Sequence, residues 1–304
     1  MGSLARFRRG LQKEFICALN AAYDEETDGW WRRMADDPDL FLGVRNNFLN
    51  VYYHGNSLVR IRFEAGQLIG QTHYKYLLKP RSRLCYIPST DGKLNWPEGL
   101  AGEILLQDLN DVETLKAASI PYAEDEKTGV HRISQNNLNI IDIEFKEKEG
   151  EDGQASDLRI DFAALQQNGA GNELVFFEAK HVSNGELRAK GTAEPQVIRQ
   201  LRTYEQFLAQ HRQELEASYR QICRNLIDLK GKGRPAPEIV KRVAGGASLK
   251  VSAVPRLVIF GFDEDQDDGA FWGGHRKKLI DALGRDRVLL RGNPSGFTRS
   301  ISTL

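Results

Sequence analysis

Two opposite charges stand two positions apart at the end of an apolar run. Residues 174–177 are apolar, and Glu178, Ala179 and Lys180 follow them. Because side chains at positions i and i+2 of a strand lie on the same face, Glu178 and Lys180 are expected to project together. The same spacing is also typical of a solvated strand end, where two charges simply pair with each other.

A third charged residue, Asp161, lies between Ile160 and Phe162 in the preceding apolar segment. A short antiparallel connection between the two segments would bring Asp161 beside Glu178. Converging carboxylates repel each other unless a cation lies between them, and oxygen ligands of this kind suit Mg²⁺, which usually retains several waters. An amine next to such a water orients it or eases its deprotonation. With Lys180 as that amine, the three residues predict a site that hydrolyses phosphodiesters.

Polar side chains recur one helical turn apart further along the chain. Pro195 precedes a segment whose apolar residues have helical spacing, which predicts a helix beginning near this proline. Gln196, Gln200 and Tyr204 fall on one face of that helix.

Four apolar segments are predicted to form the sheet that positions the charged residues. Segments 140–145, 158–162 and 174–180 are joined by short polar connections, which indicates an antiparallel meander. Segment 256–262 is almost continuously apolar and is therefore predicted to be a central strand.

In this order, Asp161, the Glu178-Ala179-Lys180 triplet and the Gln-x-x-x-Tyr pattern of Gln200 and Tyr204 resemble the PD-(D/E)XK nuclease superfamily, in its RecB-like branch. The resemblance implies an α/β (α+β) fold with a restriction-endonuclease-like core, in which helices flank a mixed central sheet. It also implies an Mg²⁺ or Mn²⁺ cofactor and assigns a role to each residue. Asp161 and Glu178 would bind the metal with the Ala179 carbonyl, Lys180 would assist the attacking water, and Gln200 and Tyr204 would steady the site or the nucleic-acid backbone.

The resemblance covers residues 139–208 and the segment 256–262. It departs from the family pattern at Ile160, where many members have proline. A further acidic residue is expected on the helix before the first strand, and the sequence alone does not identify it, so the number of metal ions stays open. The candidates are Glu14, Glu103, Glu113 and, on the first strand itself, Glu144.

Residues 1–120 are predicted to form an α+β region of unknown role, ahead of a nuclease-like domain over residues 121–304. The elements predicted there and at the start of the second domain are a helix at 11–23, a hairpin of strands 48–53 and 57–63, a helix at 102–120 and an acidic loop at 121–129.

Two basic clusters offer further contacts for a polyanion. The first mixes cations with tyrosines, which would suit a single-stranded nucleic acid, or else is a sheet edge with its tyrosines half in the core. The second lies in and just after a glycine-rich loop and is either a phosphate contact or an ordinary flexible loop. The clusters are Lys75, Lys79, Arg81 and Arg83 around Tyr74, Tyr76 and Tyr86, and Lys230, Lys232, Arg234, Lys241 and Arg242.

The composition sets wide limits on function. With 42 basic and 42 acidic residues among 304, the net charge neither proposes nor excludes a nucleic-acid partner. Three scattered cysteines without zinc-site spacing indicate a reducing compartment without a structural metal. No apolar run approaches a membrane span and no signal peptide is recognised, so a cytoplasmic protein without membrane contact is expected.

The expected function is metal-dependent hydrolysis of nucleic-acid phosphodiesters, of DNA in preference to RNA, by family analogy in antiviral defence or DNA processing. One alternative is a catalytically inactive nucleic-acid-binding or scaffold protein on the same fold. Another is a metal-independent interaction protein in which Glu178 and Lys180 only pair. Base specificity, endo- or exonucleolytic attack, and the need for a protein partner or a homo-oligomer stay open.

Overall fold

The chain folds as an α+β protein with two main sheets. The computed structural model describes residues 7–25, 29–79, 86–96, 103, 104, 106, 108–146, 158–169, 171–263 and 269–292. None of the helices within these ranges has the length and apolarity needed to cross a membrane. The helices are α1 (Lys13–Glu25), α2 (Trp30–Asp36), α3 (Val112–Ser119), α4 (Asp125–Asn136), α5 (Gln196–Gln210), α6 (Arg212–Asp228), α7 (Glu238–Ala244) and α8 (Ala270–Leu283).

The first sheet has six antiparallel strands in the order β1-β2-β3-β4-β6-β7. Its β2–β3 hairpin confirms the predicted one, and its two-residue turn holds both His54 and Gly55 at positive φ, +47° and +70°, as a tight hairpin requires. A separate pair is formed by β5 and β8. The bounds are β1 (Phe41–Val44), β2 (Leu49–Tyr53), β3 (Asn56–Glu64), β4 (Gln67–His73), β5 (Leu78–Lys79), β6 (Tyr86–Thr90), β7 (Lys93–Leu94) and β8 (Glu103–Ile104).

The second sheet is mixed and has the order β14-β13-β11-β10-β9, with β12 paired to β11. Its antiparallel part, β9-β10-β11, confirms the predicted meander. Strand β13 runs parallel to β11 and lies between β11 and β14, which confirms the central place predicted from its apolarity. The bounds are β9 (Ile140–Lys146), β10 (Arg159–Asn168), β11 (Gly171–His181), β12 (Leu249–Val251), β13 (Arg256–Phe260) and β14 (Val288–Gly292).

The predicted opening helix and the helix after Pro195 are confirmed as α1 and α5. The helix predicted at 102–120 is wrong in its first half, because strand β8 occupies Glu103–Ile104 and helix α3 begins only at Val112. The acidic loop predicted at 121–129 is wrong from Asp125 onward, where helix α4 begins. The connection between the second and third predicted segments is short, because β10 continues to Asn168 and β11 begins at Gly171.

Helix α4 is stabilised by packing against the second sheet. Val130 and Ile133 are buried in one cluster with Phe177 and Phe260 of the sheet. Gly129 lets the helix approach closely, since a Cβ there would lie 2.2 Å from a ring carbon of Phe260. This close contact places the first turn of α4 beside the end of β11.

Candidate active site

Strands β10 and β11 bring Asp161 and Glu178 together. Phe162 pairs with Phe177, so one step further along the antiparallel register Asp161 stands opposite Glu178, on the same face of the sheet. The backbone N–H of Ala179 donates a hydrogen bond of 2.6 Å to Asp161 Oδ2. Within the described part of the chain, the other carboxylate oxygen of Asp161 accepts no hydrogen bond.

Because side chains alternate along β11, successive residues lie on opposite faces of the sheet. Val175, Phe177 and Ala179 belong to the core cluster on the α4 side. Phe176 packs edge-on against Tyr219 of α6, with ring centroids 5.6 Å apart, on the opposite side. Glu178 has the parity of Phe176, so it faces helices α5 and α6.

Glu178 is held at both of its carboxylate oxygens. Lys180 Nζ lies 2.9 Å from Oε1, and the Tyr204 hydroxyl lies 3.1 Å from Oε2. Glu178 is 2 % exposed and Lys180 8 %, so this ion pair lies in the interior. The two charges predicted to project together therefore form a direct contact.

Helix α5 supplies the second layer of the site. Gln200 Nε2 donates a hydrogen bond of 2.7 Å to the Tyr204 hydroxyl. That hydroxyl also contacts the Arg159 carbonyl oxygen at the start of β10, so its single proton serves either this oxygen or Glu178. Tyr204 thereby ties the helix to both strands that carry the carboxylates.

The carboxyl groups are held in an environment that disfavours their charge. Burial raises the pKa of Glu178 to about 7, although Lys180 and Tyr204 act in the opposite direction. Burial and the neighbouring Glu178 raise the pKa of Asp161 well above its usual range, against the lowering effect of the Ala179 N–H. Burial and both carboxylates also raise the pKa of the Tyr204 phenol.

Lys180 has a second acidic partner on the loop between β11 and α5. Glu186, in a short 3₁₀ turn, places Oε2 2.8 Å from Lys180 Nζ, and Gln196 at the start of α5 donates a 3.1 Å hydrogen bond to its Oε1. Burial opposes the charge of Lys180, but the ion pairs with Glu178 and Glu186 outweigh it and raise the pKa of the ammonium. Lys180 is therefore a protonated side chain at neutral pH. Gln196 is thus linked to the site through Glu186.

The structure adds an acidic residue, Glu126 on α4, that the sequence did not identify. Glu126 Oε1 accepts hydrogen bonds from the backbone N–H of His181, at 3.2 Å, and from Asn184 Nδ2, at 2.6 Å. Its charge also acts to raise the pKa of Glu178. The spacing of the apolar residues Val130 and Ile133 is the signal in the sequence that could have indicated this helix.

The four acidic candidates named from the sequence have different surroundings. Glu113 pairs with Lys116 at 3.0 Å, and Glu14 is exposed on α1. The Glu103 side chain lies outside the described residues. Glu144 is the one beside the site, since its charge acts to raise the pKa of Asp161. It has a left-handed φ of +52° inside β9.

The donor types at the site match those that a hard divalent cation prefers. Asp161 and Glu178 supply carboxylate oxygens, and the Ala179 carbonyl faces the same side of β11 as the N–H that binds Asp161. Burial and mutual repulsion disfavour charge on the two acids, and a cation would relieve that repulsion. However, the described residues contain no group of three or more His, Cys, Asp or Glu side chains that could by themselves hold a metal ion.

The first basic cluster is described only in part. Tyr74 and Tyr76 are 6 % and 2 % exposed, so they belong to the core, whereas Tyr86 is 49 % exposed. The side chains of Lys79, Arg81 and Arg83 lie outside the described residues.

In the second cluster, Lys230 pairs with Asp24 and Lys241 pairs with Glu238 at 2.6 Å. Arg234 turns inward, where it donates a 2.8 Å hydrogen bond to the Ser134 carbonyl oxygen. These contacts leave few of the cations of this cluster available for phosphate.

Comparison with family models, with curated proteins and with solved structures gave no match.

Proposed function

We propose that the protein is a metal-dependent nuclease built on a restriction-endonuclease-like core. The observation that carries this proposal is the pair of repelling carboxyl groups, Asp161 and Glu178, on neighbouring strands, with the Lys180 ammonium 2.9 Å from one of them. The succession of α4, three antiparallel strands, α5 and a parallel strand supports the same assignment. DNA is the proposed substrate in preference to RNA.

Asp161, Glu178 and the Ala179 carbonyl would hold Mg²⁺ or Mn²⁺. A bound ion of this kind lowers the pKa of a water and offsets the charge that develops on a phosphate. The protein's own contribution is to present the oxygens from two adjacent strands. Tyr204 and Gln200 restrain the Glu178 carboxylate from the helix side.

Lys180 is the proposed proton-bearing group. Its ammonium donates hydrogen bonds from a fixed place beside Glu178, so it can orient an attacking water and stabilise negative charge on a phosphate oxygen. Glu186 gives the ammonium a second carboxylate partner, 2.8 Å away. Gln196 restrains Glu186 in turn.

A second candidate is an inactive nucleic-acid-binding or scaffold protein on the same fold. The observation that favours it is that both oxygens of Glu178 are already bonded, to Lys180 and Tyr204. An ion bound at Glu178 would have to share these oxygens with Lys180 and Tyr204 or displace one of them. This candidate predicts nucleic-acid binding without cleavage.

Lys180→Ala separates the two candidates. Plasmid, linear duplex, single-stranded DNA and RNA are incubated with Mn²⁺ or Mg²⁺, and products are resolved on gels. We expect cleavage by the wild type and a loss of about a hundredfold or more in the variant, as for removal of a group that acts on a proton. Lys277→Ala, which removes an exposed lysine paired with Asp281, is the matched control.

Cleavage that survives Lys180→Ala unchanged would contradict the assignment of Lys180. No cleavage of any substrate by the wild type in either metal, together with retained binding, would favour the scaffold. Titration calorimetry with Mg²⁺ on wild type and Asp161→Asn adds a readout that does not depend on turnover. Heat that is equal in both proteins would contradict a metal site at Asp161.

A further inference from the structure

A cleft lies where the first part of the chain meets the start of the second sheet. Its walls come from α2, β1, the start of β9, the end of α6, the loop 229–237 and α7, and it encloses about 80 Å³. None of Asp161, Glu178 and Lys180 lines it. The cleft is therefore distinct from the candidate active site.

The walls of the cleft are mostly apolar. Met34, Leu40, Ile140 and Val240 line it and are each no more than 2 % exposed. Leu138, which is 39 % exposed, lines it as well, so the cleft reaches the surface beside an apolar side chain. Such walls favour an apolar group of a ligand, because removing apolar surface from water drives binding.

The loop 229–237 is held firmly against the end of α2. The Gly233 N–H donates a 3.1 Å hydrogen bond to the Ala35 carbonyl oxygen, and the Lys232 N–H donates a 2.7 Å hydrogen bond to Asp36 Oδ1. A Cβ at Gly231 would lie only 2.7 Å from the Ala35 oxygen. Contacts within the protein therefore fix this wall, which reduces the ordering that binding would cost.

Arg234 presents one open edge of its guanidinium group to the cleft. Its Nη1 donates to the Ser134 carbonyl oxygen at 2.8 Å, and its Cζ lies 4.9 Å from the ring centroid of Phe41, which also lines the cleft. Within the described part of the chain, Nε and Nη2 donate to no acceptor, and both remain accessible to solvent. These two N–H groups form the edge that fits the two oxygens of a carboxylate.

The charge of Arg234 is not compensated by an acid. No carboxylate of the described residues pairs with Arg234, whereas the buried cations Arg9, Arg45, Lys116 and Lys180 each contact one. Burial lowers the pKa of the Arg234 guanidinium to about 10, so the group is still charged at neutral pH. A half-buried charge without a partner costs stability, and an anionic ligand would relieve that cost.

The other charged residues that line the cleft are already paired. Lys230 contacts Asp24, and Asp37 contacts Lys116 at 3.0 Å. The cleft therefore offers one cation beside apolar walls, which matches a ligand with one carboxylate and an alkyl chain. Because an apolar cavity of about 150 Å³ holds a benzene ring, the cleft has room for a short acid of about four to six carbons. Inorganic phosphate would leave the apolar walls unused.

We propose that the cleft binds a short aliphatic carboxylic acid, with its carboxylate on the Nε and Nη2 edge of Arg234 and its alkyl chain against Leu40, Ile140 and Val240. This site goes beyond the proposed nuclease function and does not depend on it. Each of the two can therefore fail alone.

Titration of the ¹⁵N-labelled protein, followed by NMR at neutral pH and constant ionic strength, tests the proposal. The ligands are acetate, butanoate, hexanoate, the uncharged hexanamide and inorganic phosphate. The signals followed are the Arg234 Nε–H and the backbone amides of the loop 229–237. The variants are Arg234→Gln, Arg234→Lys and Ala236→Phe, which narrows the cleft from its lining. Arg224→Gln is the matched control, because Arg224 is exposed on α6 and does not line the cleft.

We expect saturable binding of hexanoate by the wild type. Each CH₂ group added between acetate and hexanoate should tighten binding about three- to fourfold, as for burial of a methylene. Hexanamide should bind about tenfold more weakly than hexanoate, because it lacks the charge that strengthens the hydrogen bonds.

The variants separate the charge from the apolar walls. Arg234→Gln should weaken hexanoate about tenfold and leave hexanamide nearly unchanged, whereas a merely structural role of Arg234 would change both. Arg234→Lys keeps the charge and loses the paired N–H groups, so it should restore only part of the affinity. Ala236→Phe should weaken both ligands, and Arg224→Gln should bind like the wild type. Thermal unfolding of each variant verifies that it is folded.

The ligand series in the wild type is decisive even if Arg234→Gln does not fold. No saturable shift with hexanoate, equal affinity for hexanoate and hexanamide, or equal affinity for acetate and hexanoate would overturn the proposal. Phosphate that binds more tightly than hexanoate would also overturn it, because the apolar walls would then play no part. Lys180→Ala should bind hexanoate like the wild type, so this test is independent of cleavage.

Discussion

At the scale of single residues, the candidate site stands out because burial works against the charges it contains. Glu178 is 2 % exposed and has a pKa raised to about 7, and Asp161 is raised by the same burial and by repulsion from Glu178. Lys180 offsets part of this cost and Tyr204 a smaller part. A protein retains such an arrangement at a cost in stability, which is a common mark of a functional site.

Glu178 gives the metal-free protein a predictable pH dependence. Its folded pKa of about 7 exceeds the ordinary value of 4.5, so between these values the folded state binds more protons than the unfolded state. The free energy of unfolding should therefore fall as pH rises from about 4.5 to 7, by no more than about 1.4 kcal/mol per pH unit for one proton. Glu178→Gln should remove this part of the slope.

Urea unfolding in EDTA across this pH range measures the effect. The pKa of Asp161 is also raised, so Asp161 contributes a slope of the same sign. In Glu178→Gln, the free energy of unfolding should therefore fall less steeply with pH than in the wild type, but it should still fall. Glu124→Gln, which changes an exposed glutamate, should leave the curve parallel to that of the wild type. Parallel curves for Glu178→Gln would show that Glu178 has no raised pKa.

At the scale of elements, helix α4 and the loop after β11 are joined through one carboxylate. Glu126 Oε1 accepts hydrogen bonds from His181 and Asn184, and the Asn184 side chain accepts one from the Glu186 backbone N–H at 2.8 Å. Glu186 in turn contacts Lys180. The position of the ammonium therefore depends on the docking of α4.

Glu126→Ala should destabilise the protein by about 1–3 kcal/mol, because two donors lose their acceptor. Glu124→Ala, at an exposed position two residues earlier in the chain, should change the free energy of unfolding by less than about 0.5 kcal/mol. Chemical denaturation measures both. Equal effects of the two substitutions would contradict the inference that Glu126 stabilises the contact between α4 and the loop after β11.

Glu126→Gln distinguishes the role of Glu126 as a hydrogen-bond acceptor from a role in metal binding. The amide oxygen of glutamine still accepts hydrogen bonds, so most of the stability should be retained. If Glu126 is the upstream acid of the proposed nuclease, cleavage should fall while the unfolding curve stays near that of the wild type. Unchanged cleavage would assign Glu126 to structure alone.

At the scale of the whole molecule, a buried ion network connects the two sheets. Asp142 of β9 accepts hydrogen bonds from Arg9, at 2.8 Å, from Arg45, at 2.6 Å, and from the Tyr219 hydroxyl, at 2.6 Å. Arg45 also donates to the Ile143 carbonyl oxygen and so covers the free edge of β9. The chain start, the first sheet, β9 and α6 therefore meet at one carboxylate.

Asp142→Asn should cost about 3–5 kcal/mol, because it removes a carboxylate charge that two buried guanidinium groups share. Since the network joins both sheets, we expect one cooperative unfolding transition in the wild type, as followed by calorimetry and by tryptophan fluorescence. Asp281→Asn, which breaks an exposed pair, should cost less than about 0.5 kcal/mol. A small effect of Asp142→Asn would show that the network contributes little to joining the sheets.

Much of the candidate site could be predicted because its signals are local. The apolar run before Glu178, the alternation that puts Lys180 on the same face and the one-turn spacing of Gln200 and Tyr204 all follow from strand and helix periods. Glu126 could not be placed in this way. Its helix has Gly129 in the middle and no side-chain cap at its start, so its local helix propensity is low and the packing of Val130 and Ile133 supplies the stability. The predicted division near residue 120 stays a prediction.

The amino-acid sequence by itself determined the order and type of the strands around the site, and the pairing of Asp161 with Glu178, because alternation and short connections fix register over a few residues. Tertiary structure alone decided what surrounds these charges: the burial that raises the pKa of Glu178, the contact of Lys180 with Glu186, and the approach of Glu126. It also decided that Arg60 lies beside the rings of Phe48 and Tyr86 while Arg234 turns inward. Such contacts join residues far apart in the chain, and no local period encodes them.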